Sequence, residues 1–508
     1  MGERELHSVG APGGRLMPQR VAVVGAGVAG LSTAYHLSTG AVTSGEALEL
    51  RVFEAAARAG GHVVSEDQDG FVVEGGPDCF VSQKPAGLRL VRELGLGERL
   101  ANTSADVSQT FVVSGGRLHP LPEGVMLMVP TRFLPLARSP LLTWPGKLRM
   151  GADLLLPRRT DDVDESLGGF VRRRLGREAL DKIAEPLVAG VHAGDPDRLS
   201  LRSTFPRFAE YERADRSLIV AMVKARRRMA AERAHRPAGG PPAPTGFVTL
   251  RGGLEEMVRA LRERLPAGAL RVNDAVLRIE EAETSGSMDR PWTVVTGGAG
   301  EGRWEADTVI LAVPAHEAAR LTRPLDVRLA TEFAGIEFVS AATVSLGFAR
   351  TQVENPLRGY GVVIPRSEGR AVMGVTWSSS KFPGRAPADK VLVRAFVGGV
   401  KGPELLALDD RGLAALVRRE VADLLGVRGD PLLSRLFRWE RAMPQYHVGH
   451  AARLERIRER LAAHPGLLVV GGSYDGIGIP DCIQSGAVAA AAALGRGGRG
   501  DGRTTNAT

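Results

Sequence analysis

The sequence has only two cysteines, Cys79 and Cys482, in 508 residues. Two thiols so far apart exclude a disulfide framework and a cysteine-rich zinc site, and they point to a reducing compartment. Long apolar runs are also missing. Stretches such as AVAAAAAL at 487–494 fall well short of the ~18 residues of a membrane span. Residues 1–20 contain no hydrophobic region of signal-peptide type. No repeat of ~20–50 residues recurs. These absences leave a cytoplasmic, non-repetitive globular protein.

What is present fits that class. The length suggests roughly three domains, and 44% apolar residues suffice for large cores. Lys and Arg exceed Asp and Glu by 66 − 58 = 8, a balance that favours anionic partners. The excess is dispersed. Its one dense cluster, Lys224 to Arg236, runs into PAGGPPAPTG and reads as a solvated basic helix before a linker, not as a nucleic-acid site.

VAVVGAG at 21–27 reads as a buried parallel strand ending in glycines, with a helix after it and a second strand, LELRVFE, at 48–54. FVTLRGG at 247–253, TVILAVPA at 308–315 and GLLVVGG at 466–472 are further buried strands or strand ends. Segments 340–349, 360–377 and 390–398 suggest antiparallel strands of a second sheet. The expected fold is therefore α/β with α+β insertions: a discontinuous Rossmann-like dinucleotide domain, an antiparallel-sheet substrate domain and a helical domain. The expected boundaries are a leader at 1–19; 20–100, 245–325 and 455–494 for the nucleotide domain; 101–215 for the helical domain; 216–244 for the basic helix and linker; 326–454 for the substrate domain; and a tail at 495–508.

Gly25, Gly27 and Gly30 form G-x-G-x-x-G between strand and helix. The first permits a tight turn, the second a close approach of backbone to pyrophosphate, the third close helix–strand packing. Glu54 ends the next strand, placed for a ribose hydroxyl. Three features favour FAD over NAD. Gly60–Gly61 follows Glu54, with Arg58 available for a phosphate. Gly75–Gly76 precedes Pro77. GGSYDGIGIP at 471–480 precedes a helix, with Pro480 suited to its first position; amides at 477–479 would then face a reduced flavin with the helix dipole behind them. No second glycine loop of this kind occurs, which favours an oxidase over a pyridine-nucleotide reductase.

The chain resembles the porphyrinogen oxidases of haem synthesis, within the FAD-dependent amine-oxidase-like superfamily. The resemblance runs over residues 20–495 through FEAAARAGGHV, FVVEGGPDCFV, EPLVAGVHAGDPDRLSLRSTFPRF at 185–208, TWSSSKFPGRAP at 376–387, MPQYHVGH at 443–450 and GIGIPDCIQSG at 476–486. It implies that FAD is held by Gly25, Ala26, Gly27, Val28, Ala29 and Gly30, by Glu54 and Ala55, and by Arg58, Gly61 and His62. It further implies contacts from Gly76, Pro77, Asp78 and Cys79, from Val276 at the adenine, and from Ile477, Gly478 and Ile479 at the flavin. Substrate would lie over the flavin near Gly361 and Val363.

Three positions depart from the family pattern: His62 after the glycine pair, His192 where many bacterial members have Tyr, and Met126 where the mitochondrial type has an arginine. The last argues against a mitochondrial-like protoporphyrinogen pocket. Lys84 and Arg366 are the candidate propionate partners. No side chain is assigned as catalytic acid or base, and no metal is expected. The implied reaction is oxidation of coproporphyrinogen III to coproporphyrin III with O2 as acceptor, releasing H2O2, before hand-over to a ferrochelatase. The alternatives are protoporphyrinogen IX oxidation, another superfamily enzyme, or a non-enzymatic flavoprotein. Five Trp and five Tyr leave little for the aromatic cage expected of an amine oxidase. Segment 125–150, apolar and cationic, reads as substrate-domain core, with a peripheral patch at the inner membrane face as its alternative.

Overall fold

The computed structural model describes residues 18–234, 244–281, 292–298 and 302–495. Expectations for the leader, for linker residues 235–243 and for the tail after residue 495 lie outside them.

Five parallel strands form the first sheet, in the order Leu270–Arg271, Leu48–Phe53, Gln19–Val24, Thr308–Leu311, Leu467–Val469. Val21 to Val24 are buried because the strand is flanked on both sides and covered on both faces. Helices Val28–Ser44 and Ile479–Ala493 pack on one face, joining Val21, Val23, Leu31, Leu37 and Ile483 in one core. On the other face Ala22, Val24 and Val309 meet Trp292, Trp304 and Phe333. The sheet thus gathers strands from three distant stretches of chain.

The second sheet has seven strands: Leu433–Pro444, Phe338–Ala349, Lys390–Gly398, Val372–Thr376, Gly361–Val363, Thr110–Ser114, Arg117–Pro120. It corrects two expectations. Residues 110–120, assigned above to the helical domain, are a hairpin of this sheet, turning at Gly115 and Gly116, both with positive φ. The sheet is also not wholly antiparallel, since Gly361–Val363 runs parallel to Thr110–Ser114.

The helical unit is built on Met128, Leu142, Phe170, Ile183, Val188 and Phe208. Ser166 caps Leu167–Arg174 by accepting from the Gly169 N–H at 3.0 Å. The basic helix, Leu218–Ala234, expected as a solvated helix outside the helical domain, begins inside this unit: Leu218, Ile219 and Met222 are buried there. Its start is anchored by Asp153, which accepts from Ser217 Oγ at 2.6 Å and the Ile219 N–H at 3.0 Å. Asp153 is itself paired with the fully buried Arg174.

Candidate functional site

The glycine loop separates three steric roles. A Cβ at Gly25 (φ +101°) would lie 2.7 Å from the Ala312 carbonyl, and one at Gly30 would lie 1.9 Å from the Gly25 carbonyl. Both positions are closed to any side chain. A Cβ at Gly27 would meet only Gly61 Cα, at 4.0 Å. The space beside Gly27 is open protein surface, the form a backbone cradle for pyrophosphate must have. Gly27 caps Val28–Ser44 with no side chain, and the first turn carries no acid, so its amides and dipole favour a phosphate. The second glycine pair lies alongside: Gly60 N–H donates to the Ala26 carbonyl at 2.7 Å.

Glu54 closes the adjacent strand. Its Oε2 accepts from Ala26 N–H at 2.8 Å and its Oε1 from Ala56 N–H at 2.9 Å, which aims the carboxylate along the loop, beside Ala55. Its backbone carbonyl accepts from Asp274 N–H at 2.9 Å, so Val276, expected at the adenine, begins its strand close by. Arg58 is placed differently from the expectation of a phosphate ligand. Its guanidinium donates to the carbonyls of Gly61 and Val63 and pairs with Glu255 at 3.1 Å. It folds the glycine pair into place. The His62 ring meets Trp439 edge-on at 5.1 Å, and burial together with Arg58 pushes its pKa down.

Segment Gly76–Cys79 is held by the second sheet, through residues the sequence reading missed. Gly75 carbonyl accepts from Thr343 Oγ1 at 2.7 Å and Trp439 Nε1 at 2.9 Å. Arg394 donates to the carbonyls of Glu74 (3.0 Å) and Gly76 (2.6 Å). Lys381 Nζ lies 3.1 Å from Asp78 Oδ2 and 3.2 Å from Cys79 Sγ. Burial alone would push the Asp78 carboxyl up, but Lys381 and Arg394 hold it well below the usual carboxylate range. Burial and Asp78 push the Cys79 thiol up to about 12. With Arg385 on Glu74 at 3.0 Å, three cations face two carboxylates, a surplus of one positive charge. A Cβ at Gly76 would strike the His62 carbonyl at 1.9 Å, so Pro77 follows a tight passage beside the histidine.

Ile477, Gly478 and Ile479 open the helix Ile479–Ala493, with Gly478 as its cap. Pro480 is therefore the second helical residue, not the first. Asp481 Oδ2 accepts from Gly478 N–H at 3.3 Å, and Lys84 neutralises Asp481 at 2.6 Å. Lys84, offered above as a propionate partner, is thus engaged by this helix. Gly361 (φ +148°) is buried where a Cβ would lie 2.3 Å from the Val375 carbonyl. Val363 faces the helical unit, its Cγ1 4.0 Å from a Cβ built on Gly190. His192 is buried there, edge-on to Phe205 at 6.0 Å, and burial lowers its pKa to about 4. Met126 lies half-buried in a two-residue strand. Arg366 is exposed, while its N–H donates to Glu185 at 3.0 Å. Among the described residues no cluster of three or more His, Cys, Asp or Glu could hold a metal ion.

The residues present therefore fit FAD: an open backbone cradle for the pyrophosphate, a carboxylate for the ribose, and a cationic cluster behind the third glycine segment. Comparison with known proteins agrees. The family described as flavin containing amine oxidoreductase matches residues 28–494. Coproporphyrinogen III oxidase of Bacillus subtilis (strain 168) is 34% identical over 477 residues, covering 94% of this chain and 98% of that one. The protein of the same name from Propionibacterium freudenreichii is 36% identical, covering 93% and 90%. Mitochondrial protoporphyrinogen oxidase of Nicotiana tabacum is 29% identical, covering 93% and 94%. A crystal structure assigned as a protoporphyrinogen oxidase from Exiguobacterium sp. 255-15 superposes with a TM-score of 0.80 at 31% identity, covering 94% of this chain and all of that one. Putrescine oxidase shares the fold at a TM-score of 0.64 and 18% identity.

Proposed function

Since this chain belongs to the flavin-containing amine oxidoreductase family, we propose that it oxidises coproporphyrinogen III to coproporphyrin III, with O2 as terminal acceptor. The observation that carries this reading is its near-full-length similarity to three coproporphyrinogen III oxidases at 33–36% identity, against 27–30% for the protoporphyrinogen oxidases. The protein binds FAD, which supplies the two-electron acceptor when present. The aromatic product lies six hydrogens below the porphyrinogen, so each turnover needs three two-electron rounds, consuming three O2 and releasing three H2O2.

The protein's own part is binding and shaping. Gly25 to Gly30 and Glu54 hold the dinucleotide, Gly61 and His62 flank it, Gly76 to Cys79 and Ile477 to Ile479 approach the flavin, and Val276 receives the adenine. Gly361 and Val363 face the apolar body of the substrate, with Arg366 at the rim for a carboxylate. No side chain needs to act as base, because the pyrrole N–H protons can leave to water.

The test is an aerobic assay of both porphyrinogens side by side, by porphyrin fluorescence and corrected for autoxidation. Faster coproporphyrin formation supports the reading. A protoporphyrinogen-only response would reassign the substrate, and no enhancement by the FAD-loaded protein would remove the activity.

No helix among the described residues is long and apolar enough to cross a membrane. The helical unit nevertheless exposes Trp144 (64%), Leu148 (72%) and Leu155 (81%), close in sequence to Lys147, Arg149 and Arg158. Segment 125–150 divides accordingly, with Met128, Leu136, Leu142 and Met150 in the core. The exposed set supports a peripheral contact of a cytoplasmic protein with anionic lipid, from which product passes to the ferrochelatase. Salt-reversible sedimentation with anionic liposomes tests the contact.

A further inference from the structure

The segment MPQYHVGH at 443–450 contains no group assigned above to FAD or substrate, yet it touches the glycine-rich turn before residues 477–479 at three points. The Tyr446 hydroxyl donates to the Gly472 carbonyl at 2.6 Å and accepts from the Gly476 N–H at 3.1 Å. His450 Nε2 donates to the Tyr474 carbonyl at 3.0 Å. The two rings stack on each other, 4.1 Å apart and within 12° of parallel. One hydroxyl therefore ties both ends of a turn that has no regular secondary structure of its own. Burial pushes the Tyr446 pKa up, so the hydroxyl keeps the proton it donates. Tyr446 is itself fixed from the other side. Its carbonyl accepts from Ser200 N–H at 2.7 Å, and its neighbour Gln445 donates through Nε2 to the His192 carbonyl at 2.9 Å.

We propose that Tyr446 is a positioning residue for the flavin, holding the Gly472–Gly476 turn so that residues 477–479 and the N-terminus of the helix after them keep one orientation toward the ring. This rests on the placement of residues 477–479 at the flavin. The hydroxyl supplies pre-organisation. A glycine-rich turn has many conformers, and amides fixed by the protein bind an anion without first being ordered. Because a helix N-terminus favours negative charge, loosening the turn weakens binding of reduced flavin more than oxidised.

The test compares Tyr446→Phe with Gly478→Ala, using FAD titration of apoprotein, the visible flavin spectrum and the midpoint potential. Loss of one buried hydrogen-bonding hydroxyl should raise the FAD dissociation constant about tenfold. A tenfold larger effect on the reduced form would lower the potential by ~30 mV. The apoprotein melting temperature serves as the control for a merely structural role. The proposal is overturned if Tyr446→Phe leaves affinity, spectrum and potential unchanged while Gly478→Ala shifts them, or if its only effect is a lower apoprotein melting temperature. If Gly478→Ala also leaves the flavin untouched, the underlying placement of 477–479 fails instead, and the proposal with it.

Discussion

The glycine loop allows the fold and the cofactor site to be perturbed separately, through Gly27→Ala and Gly30→Ala. At Gly27 the backbone (φ −69°, ψ −179°) suits alanine, and the new methyl meets only Gly61 Cα at 4.0 Å. Alanine is a poorer helix cap than glycine by about 1 kcal/mol, while its stiffer unfolded chain returns ~0.4–1 kcal/mol. The apoprotein should therefore change by no more than about 1 kcal/mol. The methyl does fill the space a pyrophosphate needs. Losing about two charge-assisted hydrogen bonds at ~1.5–3 kcal/mol each would weaken FAD binding by roughly 10²–10⁴-fold. Gly30→Ala should do the reverse. Its Cβ would sit 1.9 Å from the Gly25 carbonyl and 3.1 Å from Ala312 Cβ, at a turn that cannot yield because Gly25 is itself pressed against Ala312. Overpacking of this kind costs ~1–3 kcal/mol or more. The assay is thermal melting of each apoprotein with and without FAD. Wild type should gain about 2.7 kcal/mol at FAD concentrations 100 times its dissociation constant, Gly27→Ala should gain almost nothing from an unaltered baseline, and Gly30→Ala should start from a lowered one. A Gly27→Ala protein with undiminished FAD affinity would mean that Gly27 does not line the pyrophosphate cradle, and an apoprotein as damaged as Gly30→Ala would mean that the space beside it is not open.

Three further outcomes follow from the buried groups. His192 is held neutral down to about pH 4, whereas an unfolded histidine takes up a proton near pH 6.5. Stability should therefore decline as pH falls from ~6.5 toward 4, by on the order of 3 kcal/mol, and His192→Gln should flatten that slope in urea titrations at pH 7 and pH 5. Lys381→Met leaves Asp78 without its nearer cation. Since the folded carboxyl is depressed, its contribution is present above the unfolded value of ~3.9 and lost in acid, so the variant should be weaker by about 3 kcal/mol at neutral pH and closer to wild type in acid, with Asp78→Asn restoring part of the loss. Burial raises the thiols of Cys79 and Cys482 to about 12. Iodoacetamide at pH 8 should leave both unlabelled by mass spectrometry until the chain is unfolded.

Much of the fold is legible in local pattern. VAVVGAG reads as a central parallel strand because four consecutive apolar residues need burial on both faces, and Glu54 is found by following the next strand to its end. The hairpin at 110–120 has a local signature too: Gly115–Gly116 is a strong two-residue turn signal between strand-like segments. The supports of the site are another matter. Arg394 and Lys381 meet Gly76 and Asp78 across more than 300 residues of chain, and Tyr446 reaches a turn it does not adjoin. No periodicity marks such residues, because their roles depend on which sheet lies against which loop. Arg58 shows the converse: the chemistry of phosphate binding was present, but nearer carbonyls claim the guanidinium.

The order of strands in the parallel sheet has a consequence for how the protein is made. Gln19–Val24 emerges from the ribosome first, and Leu467–Val469, the sheet's last strand, follows about 450 residues later. At ~5–20 residues per second, roughly 20–90 s separate the first strand from the edge strand, which pairs with Thr308–Leu311, and from the helix that completes its covered face. Through that interval the sheet keeps an open edge at Thr308–Leu311, and the face under the last helix is incompletely covered. Completion of the parallel sheet is thus among the last events of biogenesis, and the half-made sheet is the stage at which chaperones and proteases have the most to grip.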